Sequence, residues 1–167
     1  MKAKNKLLLV YISTFFGTII WLAAILLAPY LRSQSLNLND LIYAVFSSIC
    51  HQIPSRCFSV FGNPLAVCAR CFGIYFGFLI GTWIYPFIRG FSLVSVPKTR
   101  TFILVSLPIV VDTAGNIFSF WMTSNWLRFF FGFIWGVILP FYFISGISDA
   151  FITQRHVSIS KTPNEKR

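Results

Sequence analysis

From Leu7 to Leu31 the chain runs for 25 residues without a charged side chain. A helix rises about 1.5 Å per residue, so this run reaches roughly 37 Å, enough to cross the hydrocarbon core of a bilayer with some tilt. A signal peptide carries a shorter apolar stretch of about 7–15 residues before a small-x-small cleavage site. Here the run ends Ala28-Pro29-Tyr30 and reads as a retained span. Cys71–Ile88 adds 18 uncharged residues and Phe129–Ser148 adds 20, while Thr101–Leu127 carries one charge, Asp112. Four such runs exclude a single water-soluble domain. Composition agrees: 56% of residues are apolar and 11% charged, against about 25% charged in ordinary soluble domains. Intrinsic disorder is excluded by the same hydrophobicity. Four cysteines in 167 residues are too few for a secreted disulfide scaffold.

The expected fold is all-α, an integral membrane four-helix bundle. Its spans lie at about 7–31, 68–88, 101–122 and 126–148, within one domain over residues 1–152. A link around Thr123-Ser124-Asn125 joins the last two spans into a hairpin, and residues 153–167 form a polar, disordered tail. In the loop 32–67, Leu38, Leu41, Ile42, Val45 and Ile49 recur at helical spacing. They predict an amphipathic helix too short to span, lying in the membrane interface. Asn37 or Asn39 is its expected cap, and it stops ahead of Pro54.

The net charge of +10 resembles a nucleic-acid signal until the charges are placed. Ten of the 14 Lys and Arg residues fall on the side of both termini, and Arg32, Arg56, Arg70 and Arg128 fall on the other. By the positive-inside bias, both termini are cytoplasmic and the segment 32–70 is extracytoplasmic. Trp121 and Trp126 then lie at the outer interface, where an aromatic belt is expected. The basic balance marks orientation and attraction to anionic lipid rather than nucleic-acid binding.

All four cysteines lie in one stretch of that outer segment, as Cys50-His51 followed by Cys57 and then Cys68-Ala-Arg-Cys71. The Cys68-x2-Cys71 spacing lets two thiolates grip one ion, and Cys50 with His51 or Cys57 can complete a tetrahedral set, zinc being the first choice for such donors. The same pair at a helix start, beside Arg70, also suits thiol redox chemistry. Structural disulfides are the plain alternative.

Cys50-His51-Gln52-x-Pro54-x-Arg56, with Pro64-x-x-x-Cys68-x-Arg70-Cys71-x-Gly73-Ile74-Tyr75-x-Gly77, resembles the signature of the DUF2085 family of small predicted membrane proteins. Asp112 and Asn125-x-x-Arg128-x-x-x-Gly132 are similar to that family's downstream pattern. The resemblance implies a shared site of Cys50, His51, Cys68, Cys71, Arg70, Asp112 and Arg128, with Arg56 and Asn125 in the same motifs. It supplies no reaction. The family usually has Ser at the position of Cys57, which implies that Cys57 is not an essential ligand, and Gly at the position of Thr113.

Gly73, Gly77 and Gly81 recur every four residues in span two, and Gly132 and Gly136 do so in span four. Such small-residue faces are packing seams. Arg70 and Arg128 extend these seams, so their packing would bring two guanidinium groups to one mouth of the bundle. That costs energy without an anion between them, and Arg suits phosphate or carboxylate. Asp112 lies near the membrane midplane, where an ionisable residue is a functional candidate. Asn116, Ser119 and Thr123 continue from it as one helical stripe.

These readings converge on an outward-facing Cys50/His51/Cys68/Cys71 zinc site at the mouth of a polar cavity. Arg56, Arg70, Asn125 and Arg128 would bind an anionic lipid headgroup or small molecule. In an enzyme, the ion would polarise a substrate or activate water, with Asp112 as proton acceptor. Two alternatives stand beside it: a quinone-coupled membrane thiol-disulfide oxidoreductase, and a non-catalytic metal-stapled scaffold or partner subunit.

Overall fold

The computed structural model describes residues 3–34, 38–89 and 99–160. Among them are five α-helices: α1 (Ala3–Ser33), α2 (Leu38–Ser47), α3 (Ala69–Arg89), α4 (Thr99–Ile117) and α5 (Asn125–Ser160). Between α2 and α3 lie a single 3-10 turn, Pro54–Arg56, and a small hairpin, β1 (Ser59–Val60) with β2 (Asn63–Pro64). The strands pair antiparallel, Val60 opposite Asn63. Phe61 and Gly62 both have positive φ, 52° and 73°, the signature of a tight two-residue hairpin turn. Four helices are long and apolar enough to cross a membrane, over Asn5–Ser33, Ala69–Ile88, Thr99–Ile117 and Asn125–Ile147. The expected all-α architecture with four membrane-length helices is therefore present.

The centre is the contact between α3 and α5. A Cβ on Gly73, Gly77 or Gly81 would collide with the backbone carbonyl of Phe129, Phe133 or Val137 respectively. Reciprocally, Gly132 and Gly136 lie against the carbonyls of Arg70 and Ile74. The partners advance together along both helices, so α3 and α5 run parallel with their backbones touching. Within lipid, where apolar side chains gain little by leaving the hydrocarbon, such close packing is what drives helix association. α1 packs on both central helices, and α4 packs on α5 alone among the long helices with substantial contact. Trp135 Nε1 donates to Ser106 Oγ at 2.8 Å, tying α5 to α4.

A second core fixes the segment before α3. Leu22, Ile25 and Ala28 of α1 and Phe46 of α2 pack with Leu65, Ala66 and Val67 around the buried Cys50. α2 docks through Phe46, while Leu38, Leu41 and Val45 on its expected apolar stripe are more than half exposed, at 53%, 61% and 51%. A stripe left outward in this way is the kind of face a membrane interface covers.

Two boundaries differ from expectation. α4 stops at Ile117 rather than near residue 122. Ser119 takes a left-handed φ of 57° and the chain turns back. This return lets the Thr123 hydroxyl donate to Asp112 and the Thr123 N–H to Asn116 Oδ1. Thr123 thus joins Asp112 by reversal of the chain, and Ser119 is exposed rather than part of a helical stripe. α5 continues to Ser160, past the expected start of the tail at 153, because no Pro or Gly interrupts the chain between Gly146 and Pro163. The expected Asn37 cap, the connection at 90–98 and residues 161–167 lie outside the described residues.

The seam predicts opposite signs for one substitution. Gly77→Ala should destabilise the fold in detergent by about 1–3 kcal/mol, because its methyl must displace backbone. Gly17→Ala, with nothing within 4 Å of its Cβ, should be neutral or stabilise by up to about 1 kcal/mol. Thermal unfolding of both variants checks this, and equal effects would refute the seam.

Candidate functional site

Cys50 follows α2, in a stretch of chain that is neither helix nor strand, and its backbone N–H donates to the Phe46 carbonyl at 3.0 Å. Gln52, with a left-handed φ of 49°, sends its side-chain amide to the carbonyls of Tyr43 and Ala66, both at 2.8 Å. That one side chain clamps the segment carrying Cys50 to the segment carrying Cys68. The Tyr43 hydroxyl donates to the Pro64 carbonyl and closes the same gap. Cys68 immediately precedes α3 and Cys71 lies in its first turn.

The result is a group of three sulfurs, from Cys50, Cys68 and Cys71, all within 4.8 Å of one another, which can hold a metal ion. Cys68 Sγ and Cys71 Sγ are 3.4 Å apart. The Cys68 backbone N–H donates to Cys50 Sγ at 3.2 Å. Thiol contacts from Cys68 and then Cys71 hold Cys50 well below the ordinary thiol range, with that N–H adding to them. The contact with Cys50 pushes Cys68 up.

Cys57 stands apart. It is buried, its thiol donates to the Ile53 carbonyl at 3.2 Å, and burial, reinforced by Cys68 and Cys50, pushes its pKa up to about 12. It is an inert core thiol. His51, expected as a fourth ligand, is outside the sulfur group and exposed.

The sulfurs form part of the wall of a cavity of about 380 Å³. Arg56, Arg70 and Arg128 line it together with His51, Thr113 and Asn116. The seam between α3 and α5 puts Arg70 and Arg128 there, as the glycine spacing implies. Asp112 is 4% exposed and pairs with Arg70. Its other oxygen accepts from Thr123 and from Asn116 Nδ2. Asn116 Oδ1 in turn accepts from Arg128 at 2.8 Å. One carboxylate and one amide therefore orient both guanidinium groups.

Asn125 does not line this cavity. Its amide donates to the carbonyls of Ser55 and Cys57, at 3.2 and 3.3 Å, and fastens the 3-10 turn that carries Arg56 to the start of α5. Two residues outside the expected site matter as much as those in it. Gln52 was visible only as a member of the Cys-His-Gln motif. Asn116 was visible only through its i+4 spacing from Asp112. Trp121, whose ring fills the space beside Gly115, was legible only as an aromatic of the outer interface.

Comparison with known proteins agrees with this framework. A family model described as a predicted membrane protein, DUF2085, matches residues 50–142, which span every cysteine, arginine and carboxylate of the cavity. An uncharacterized protein of Methanocaldococcus jannaschii is 39% identical over 140 residues, covering 80% of this chain and 90% of its own. An uncharacterized protein of Methanothermobacter thermautotrophicus is 38% identical over 88 residues, covering 50% of this chain and 74% of its own. No solved structure matches the chain. On the extent of these matches, the chain belongs to the DUF2085 family of predicted membrane proteins.

Proposed function

We propose that this is an integral membrane metalloprotein in which Cys50, Cys68 and Cys71 hold zinc beside an arginine-lined cavity that receives an anionic lipid or small-molecule ligand. The observation that carries the reading is the meeting, in one cavity wall, of three sulfurs within 4.8 Å of one another and three arginines. Tetrahedral zinc with bonds of about 2.3 Å to sulfur needs sulfurs about 3.8 Å apart, so small side-chain movements would suffice. The thiolate tendency of Cys50 and its N–H···S hydrogen bond favour cation binding. Three protein ligands leave a fourth position free, the arrangement of catalytic rather than structural zinc. His51 borders the same cavity and would sit near that position.

The lysine and arginine bias supports placing this site on the extracytoplasmic side, with both termini inside. For Asp112, the three hydrogen-bonding partners on its carboxylate favour a positioning role over proton transfer. The 3.4 Å separation of Cys68 and Cys71 sulfurs also favours, as a second reading, a dithiol that cycles with a disulfide.

Purified protein handled without chelators should contain about one zinc per chain. Cys68→Ser should lose it, whereas Cys57→Ser and His51→Ala should keep it. Elemental analysis decides, and a metal-free unmutated chain would sink the metal reading. Thiol counting in denaturant separates the redox alternative, which requires an interchange between two and four free thiols when a quinone is added. If the metal is only a staple, Cys68→Ser should lose folding rather than ligand binding alone.

Asp112→Asn should strand Arg70 and destabilise the protein by about 3–5 kcal/mol. Adding Arg70→Gln to that variant should restore much of the loss, since no lone charge remains. Thermal unfolding of the single and double variants measures it. Additive losses would overturn the positioning role.

A further inference from the structure

The polar cavity does not end at its arginines. A second groove, of about 440 Å³, runs along α4 past Ile109, Val110, Ala114 and Phe118, and it shares Arg70, Thr113 and Ile117 with the cavity. Its walls are apolar: Val110 and Ile117, on a membrane-length helix, and Phe118 just beyond its end are 61%, 72% and 70% exposed. We propose that cavity and groove form one binding site for a lipid bearing a phosphate monoester, with the phosphate among the arginines and the hydrocarbon chain along α4.

The charges select the head. Arg70 is paired with Asp112. Among the described residues, the Arg128 guanidinium meets the neutral Asn116 oxygen and neither Arg128 nor Arg56 is paired with a carboxylate. The Arg70 Nε is buried with no hydrogen-bond partner. Two unmatched guanidinium groups and an orphan donor call for an anion with several oxygens. A phosphate monoester, carrying about −1.5 to −2 charges at neutral pH, matches them better than a single carboxylate. Guanidinium forks pair with it through parallel hydrogen bonds. The shared wall selects the tail: a free phosphate fills only the cavity, whereas a lipid phosphate uses both.

The inference rests on the anion-binding part of the reading above and not on the metal. Full-length protein in neutral detergent is titrated by calorimetry with short-chain phosphatidic acid, with phosphatidylcholine of the same chain length, and with inorganic phosphate. Metal content is measured on the same samples. Phosphatidic acid should bind at least about tenfold tighter than either comparator, and Arg56→Gln, at an exposed turn, should weaken it about tenfold with melting temperature unchanged. Val110→Trp, filling the groove at an exposed position, should weaken phosphatidic acid binding and leave inorganic phosphate binding unaltered. Leu107→Trp lines a different cleft of α4 and should change neither. Phosphatidic acid binding no tighter than phosphatidylcholine overturns the phosphate head. Inorganic phosphate binding as tightly as the lipid, or lipid affinity indifferent to Val110→Trp, overturns the lipid tail. Phosphatidic acid binding that persists in metal-free Cys68→Ser protein supports a lipid site independent of the metal, whereas unmutated protein that binds the lipid but contains no metal overturns the metal reading alone.

Discussion

The backbone contact between α3 and α5 is the constraint on which the rest of the structure depends. Carbonyl groups sit where side chains would be at Gly73, Gly77, Gly81, Gly132 and Gly136. This close approach fixes a parallel register, and that register brings Arg70 and Arg128 to the same end. Since Cys68 and Cys71 flank Arg70 at the head of α3, the sulfurs arrive with the arginines. Moving one helix by a turn would separate the cations from each other and from the thiols. The site is thus a consequence of how two helices meet.

Bringing two guanidinium groups together in a chain this poor in acids has an electrostatic cost. Asp112 offsets part of it, placed by α4 from outside the central pair. It pairs with Arg70 and reaches Arg128 only through Asn116. The early end of α4 serves the same purpose. By turning back at Ser119, the chain supplies Thr123 as a further donor to the buried carboxylate. What falls short of balance is the excess of positive charge at Arg56 and Arg128, which is what the proposed anion would offset.

Much of this was legible in the sequence because lipid narrows the choices. Runs of 18 residues or more with no charge, or with Asp112 alone, have few folds open to them, so the four long helices could be read directly. The four-residue glycine spacing likewise carried the α3–α5 contact, and with it the meeting of Arg70 and Arg128. The cysteine group was legible in membership but not in orientation. The side on which His51 falls depends on the path of residues 50–53, which local pattern does not encode. Asn125 looked like a ligand-binding residue because it shares a motif with Arg128, yet it serves backbone carbonyls of the turn at 54–56. The end of α4 was hidden for a related reason. Phe118, Phe120 and Trp121 keep the run apolar, and the reversal answers to a hydrogen-bond demand from Asp112 rather than to a helix-breaking residue.

The Gln52 clamp has a mechanical consequence. Membrane helices tilt and shift as bilayer thickness changes, and a site assembled from side chains of several spans would be stretched by that motion. Here the spacing between the Cys50 and Cys68 segments is set by one amide gripping two backbone carbonyls, Tyr43 and Ala66, outside the four spans. The sulfur cluster therefore rides on the end of α3 as a rigid unit. A bilayer deformation that displaced α4 alone would leave the sulfur spacing unchanged, because the clamp draws on no residue of α4.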